Sequence, residues 1–97
     1  MGAQVKQMLK MCLEALVGTD PEMARQVCAL DSGVDRMNRD HQSNFRRTME
    51  SNSKYIEGGL YLTSVSRNLE RIADHITNIA EDVIYLADGE IVRHRVR

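Results

Sequence analysis

The 97-residue chain is 42% hydrophobic and 28% charged, with one Pro, six Met, three Tyr, one Phe and no Trp. That length allows one small domain, and an interior built from Met, Leu, Ile, Val and Ala suits helix packing better than a sheet sandwich. A formal net charge of -1 argues against nucleic-acid binding through a general basic surface.

The first helix is expected over about residues 2–17. Val5, Met8, Leu9, Cys12, Ala15 and Leu16 recur at steps of three and four, forming one apolar stripe that Gly18 ends. Thr19-Asp20-Pro21-Glu22 then reads as a helix start. Thr19 or Asp20 can cap, Pro21 fits the first turn, and Glu22 completes a Thr-x-x-Glu capping box.

The second helix, about 20–51, carries Met23, Val27, Leu30, Val34 and Met37 at alternating steps, continued by His41 and then Asn44 or Phe45. Gly33 weakens it by roughly 1 kcal/mol relative to Ala. The stripe passes through Asp31-Ser32-Gly33 in register, so one continuous helix is expected. Ser51-Asn52-Ser53 forms the turn, with Ser53 as the expected cap of the third helix.

The third helix, about 54–88, has the cleanest pattern: Leu62, Val65, Leu69, Ile72, Ile76, Ile79, Val83 and Leu86 make a packing seam. Gly89 is the expected C-cap, and residues 90–97 form a basic tail, read as a solvated terminus. No strand pattern occurs. Two short connections between three long helices give an all-α, antiparallel up-down-up three-helix bundle, one domain over residues 1–97.

No run approaches the roughly 18 apolar residues of a membrane span, and no signal core opens the chain, so a cytoplasmic protein without membrane insertion is expected. Cys12 and Cys28 lie outside any CxxC pair and read as reduced core residues. No nucleophile–base arrangement or phosphate-cradling loop is present, and no enzymatic activity is expected.

The chemically suggestive feature is a pair of acidic pairs, Asp31-x-x-x-Asp35 and Glu70-x-x-x-Asp74. Each pair shares one helix face, and like charges at that spacing repel by roughly 0.2–0.5 kcal/mol unless a cation sits between them. A hairpin about Asn52–Ser53 puts the two pairs at one height. Four converging carboxylates suit a hard or borderline divalent cation or an iron cluster. The competing reading is ordinary surface pairing, Arg67 with Glu70 and Arg71 with Asp74. His41 reads as a core-edge residue with a local hydrogen-bond partner, and His75 as a solvated residue beside Asp74.

The segment Arg67-Asn68-Leu69-Glu70-Arg71-Ile72-Ala73-Asp74-His75, followed by Asn78-Ile79-Ala80-Glu81 and the Gly89-Glu90 turn, resembles the C-terminal repeat of the PhoU family. Asp31-x-x-Val34-Asp35-x-Met37 is similar, more loosely, to the acidic stretch of that repeat's middle helix. The resemblance implies a negative regulator of phosphate uptake, acting in the cytoplasm with a membrane sensor kinase and the phosphate ABC transporter. It implies polynuclear iron or zinc held by E/D-x-x-x-D motifs, here Asp31, Asp35, Glu70 and Asp74, with other divalent cations also admissible. Full-length members contain two such repeats, and this chain resembles the second, so a homodimer restoring the pairing of repeats is expected. The alternatives are a metal-handling helical protein and a helical dimerisation module without metal.

Overall fold

The computed structural model describes the backbone of residues 1–96 and the side chains of residues 1–89. Three α-helices, α1 (Gly2–Gly18), α2 (Pro21–Ser51) and α3 (Ile56–Val96), are joined by a two-residue turn and a single 3-10 turn, Ser53–Tyr55. The described residues contain no strand. This is the all-helical bundle that the stripes predict, with α2 unbroken at Gly33.

Side-chain contacts give the helix directions. Cys12 Sγ donates to the Ile76 carbonyl at 3.6 Å, and Met1 Sδ lies 3.4 Å from the Ser66 hydroxyl, so α1 runs parallel to α3. Gln42 Nε2 donates to the Thr63 carbonyl at 3.1 Å, and the Ser66 hydroxyl to Asn38 Oδ1 at 2.9 Å. Residue numbers fall along α2 as they rise along α3, so that pair is antiparallel.

The caps differ from expectation in detail. Thr19 does not start α2; it ends α1 in the left-handed region, φ 47°, with its N–H turned back to the Ala15 and Leu16 carbonyls. Asp20 is the N-cap of α2, its carboxylate accepting from Met23 N–H at 3.2 Å ahead of Pro21. With Thr19 so engaged there is no capping box, and Glu22 pairs with Arg25 at 2.7 Å. At the second turn the cap is Asn52, not Ser53: Asn52 Oδ1 accepts from Lys54 N–H at 2.9 Å. Asn is the stronger competitor for backbone donors at a turn.

Gly89 is not a C-cap. No glycine among the described residues has positive φ, and α3 continues helically to Val96. The backbone expected as a loose basic tail is therefore helical up to Val96, while its side chains and Arg97 lie outside the described residues.

The core is formed by Val5, Met8, Cys12 and Ala15 of α1, Ala24, Val27 and Val34 of α2, and Ala73, Ile76, Ala80 and Val83 of α3. Met8, Val27, Val34 and Val83 are fully buried, each worth about 1.5–3 kcal/mol of transfer free energy. The α3 seam is rotated from the one the large residues suggest. Gly59, Ser66, Ala73, Ala80 and Ala87, spaced by sevens, are buried. Leu62, Val65, Ile72, Ile79 and Leu86 remain substantially exposed. Small side chains let helix axes approach closely, and a Cβ at Gly59 would run into the Met49 side chain of α2. The small row thus takes the inner position, and the neighbouring large row is displaced outward.

Candidate functional site

Asp31 and Asp35 come from the middle of α2, where the unbroken passage through Gly33 holds both on one face, one turn apart. Glu70 and Asp74 occupy the corresponding turns of α3. The Asn38–Ser66 bond fixes the register between them: Asn38 lies three residues past Asp35, and Ser66 four before Glu70. The fold thus brings the two acidic pairs to one height on the α2–α3 flank. Asp31, Asp35 and Glu70 are half-buried, and Asp74 is exposed.

The electrostatics show that Asp31 and Glu70 sense the neighbouring acids. Burial raises the Asp31 carboxyl above its ordinary value, and the charges of Asp74, Asp35 and Glu81 raise it further. Glu70 is raised by burial, then by Asp74, Asp35 and Asp31. Two raised carboxyls with acidic neighbours mark a site with surplus negative charge. The surface-pairing alternative fails for Glu70 and Asp74: among the described residues the ion pairs are Arg25–Glu22 and Arg39–Asp35, the latter at 3.2 Å, and neither Arg67 nor Arg71 pairs with these acids.

The donor set is chemically suited to a hard or borderline cation, being all carboxylate oxygen with little cationic compensation. As the side chains stand, however, no group of three or more His, Cys, Asp or Glu among the described residues forms a ready-made coordination cage. An ion would have to draw the carboxylates inward by rotamer changes, which exposed Asp74 and half-buried Glu70 are free to make. The residues fit such an ion in chemistry and placement, without being preformed for it.

Glu81 is the member that spacing had not singled out. It raises both Asp31 and Cys28. Its signal was present, since Glu81 is seven residues past Asp74 and therefore on the same helix face. Beyond the acids the same flank continues as neutral polar groups, Asn38, Gln42, Thr63 and Ser66. The Thr63 hydroxyl is buried there without a hydrogen-bond partner among the described residues.

The two histidines differ in burial. His41 is half-buried against Phe45, ring centroids 5.8 Å apart, and no hydrogen bond to its ring is found among the described residues. His75 is exposed. Both cysteines are free thiols, pushed above their ordinary values, chiefly by burial. No helix among the described residues is long and apolar enough to cross a membrane.

Comparison with known proteins gives the family. The model of the PhoU domain family matches residues 1–83. A phosphate-specific transport system accessory protein PhoU homolog of Pseudomonas aeruginosa is 38% identical over 93 residues, covering 96% of this chain and 38% of the relative. The homolog of Zymomonas mobilis subsp. mobilis is 35% identical over 97 residues, covering 100% of this chain and 41% of the relative. PhoU homolog 2 of Thermotoga maritima is 33% identical over 90 residues, covering 93% and 38% respectively. The chain thus spans about two fifths of the length of these curated relatives. No solved structure gave a significant match.

Proposed function

The chain belongs to the PhoU domain family, and on that premise we propose that it is a regulator of phosphate uptake, working as a non-enzymatic cytoplasmic adaptor toward the phosphate ABC transporter and its sensor kinase. Its relatives are named accessory proteins of the phosphate-specific transport system. In this reading the acidic flank of α2 and α3 is the functional surface. Asp31, Asp35, Glu70 and Asp74 hold iron or zinc, in more than one equivalent, and Glu81 adds charge at the edge.

The observation that carries the reading is the shared field of the carboxylates across the α2–α3 seam. Burial and neighbouring acids raise Asp31 and Glu70, although Arg67 and Arg71 are within sequence reach of neutralising the α3 pair. A surface evolved only for solubility gains nothing from that repulsion. A cation converts it into attraction, and when bound it supplies a fixed positive charge and rigidity to a flank that can then be read by a partner. The protein's part is to hold acids from two helices in register, to which the Asn38–Ser66 and Gln42–Thr63 bonds and the α2–α3 core contribute.

Binding of the chain to the cytoplasmic portions of the transporter and of the kinase, measured with and without iron or zinc, tests the adaptor role. Saturable binding that weakens in Glu70→Ala/Asp74→Ala is expected. Absence of binding to either partner, with the chain folded and metal supplied, would contradict it.

A further inference from the structure

The outer face of α2 concentrates arginine that neither the core nor the acidic flank uses. Arg36, Arg39, Arg46 and Arg47 are all exposed, and the segment from Arg36 to Arg47 holds a single acid, Asp40. The whole chain has 13 basic and 14 acidic residues, so this stretch departs from the average in sign as well as in density. At about 100° per residue the four lie roughly 120–160° around the helix from buried Val34, turned away from the core. Ser43 stands between the two arginine pairs, and no apolar residue shares this face. Further chain packing onto the bundle would need an apolar stripe, so this face is not one that intramolecular packing covers.

Local pairing does not neutralise it. Arg39 is held by Asp35 at 3.2 Å, and Arg47 Nη2 donates to Asn44 Oδ1 at 3.1 Å. Arg36 and Arg46 make no ion pair among the described residues, although Asp40 and Glu50 stand four residues after them. A face that serves solubility alone intersperses its signs, because crowded like charges repel.

From this we propose that the outer face of α2 is a docking surface for an acidic segment of a protein partner, about three helical turns long. A guanidinium is a planar fork that takes a carboxylate through two hydrogen bonds, and protein interfaces favour Arg where they exclude Lys. All four cations here are Arg. The footprint from Arg36 to Arg47 is short, about 16 Å along the helix. Other polyanions suit it less. Basic helices that lie on a bilayer also insert apolar or aromatic side chains, and this face has none. A nucleic-acid strand would run on from the arginines onto Asp31 and Asp35 at one end and Glu50 at the other. A discrete acidic segment ends where the patch ends. The surface is distinct from the acidic flank and meets it only at the Arg39–Asp35 pair.

Fluorescence anisotropy tests this with a labelled synthetic peptide helix, rich in Ala and carrying Glu along one face at steps of three and four. The full chain is titrated into it at low salt with chelator present. Saturable binding is expected, weakening as salt is raised. Arg36→Ala/Arg46→Ala should raise Kd about tenfold or more, while Lys6→Ala/Lys10→Ala, off the face, should leave it unchanged. All four substituted residues are exposed and Ala favours helix, so circular dichroism should show equal helicity in every variant. A peptide of the same composition with its Glu residues spread around the helix should bind more weakly. Absence of binding to the one-faced peptide would overturn the proposal, as would binding indifferent to the arginine substitutions or to the arrangement of Glu. Tighter binding to an anionic-lipid vesicle or to a DNA duplex, measured alongside, would overturn the assignment to a protein partner. Metal, transporter and kinase are all absent from this experiment, so its failure is separable from failure of the proposed function.

Discussion

The Ser66 hydroxyl donates to Asn38 Oδ1 at 2.9 Å, and with the Gln42–Thr63 bond it marks the register of the acidic flank. Ser66 is the one polar residue whose whole side chain is buried in the described structure. It occupies a position where every neighbour in the sevenfold row is Gly or Ala. Its replacement by Ala keeps the close helix approach but leaves Asn38 Oδ1 only its longer bond from Gln42 Nε2 at 3.3 Å, so Ser66→Ala should cost about 1 kcal/mol. Ser66→Leu should cost about 1–3 kcal/mol or more, because the seam has no room for it. Urea unfolding of both variants checks the order.

Acid should relieve the flank. Asp31 and Glu70 have folded values raised above their ordinary 3.8 and 4.5, so the folded state holds protons more tightly there than the unfolded chain does. Their contribution to stability is therefore most favourable below those ordinary values and is lost as pH rises through the raised folded ones. Asp31→Asn should melt above the wild type at pH 7, and the gap should close as pH falls below about 4. Melting curves across that range decide it. A gap that widens toward low pH would contradict the assigned direction.

Thr19 sits at φ 47°, a conformation that costs a β-branched residue roughly 1–2 kcal/mol and glycine almost nothing. Part of the gain is lost because glycine frees the unfolded chain. Thr19→Gly should still stabilise the protein by about 0.5–1 kcal/mol, read as a raised urea midpoint with unchanged slope.

Sequence periodicity made the three helices, their order and the unbroken α2 legible, because a stripe of buried positions is the direct imprint of helix packing. The α3 seam was misjudged for a physical reason. Size, not hydrophobicity alone, decides which row faces inward when helices approach closely. The Gly59, Ser66, Ala73, Ala80, Ala87 row looks weak beside Ile72 and Ile79, yet it is the buried one. Termini were harder still. Thr19 and Asn52 took roles assigned to neighbours, since one backbone donor can be satisfied by any of several adjacent polar residues. The acid pairs were visible as spacing, and their shared height followed from counting residues to the turn. The absence of Arg67 and Arg71 from their neutralisation depended on rotamers, and Glu81 entered through long-range charge. Rotamers are not written in local pattern, whereas Glu81 was legible as the residue seven past Asp74.

The most direct test is the metal content of protein purified without chelators, compared with Glu70→Ala/Asp74→Ala prepared alongside. Both variants should be equally helical. The account predicts two or more equivalents of iron or zinc in the wild type by elemental analysis, lost in the variant. No metal in the wild type, even after dialysis against iron, zinc and manganese, would contradict it and leave the four carboxylates as solvated charge.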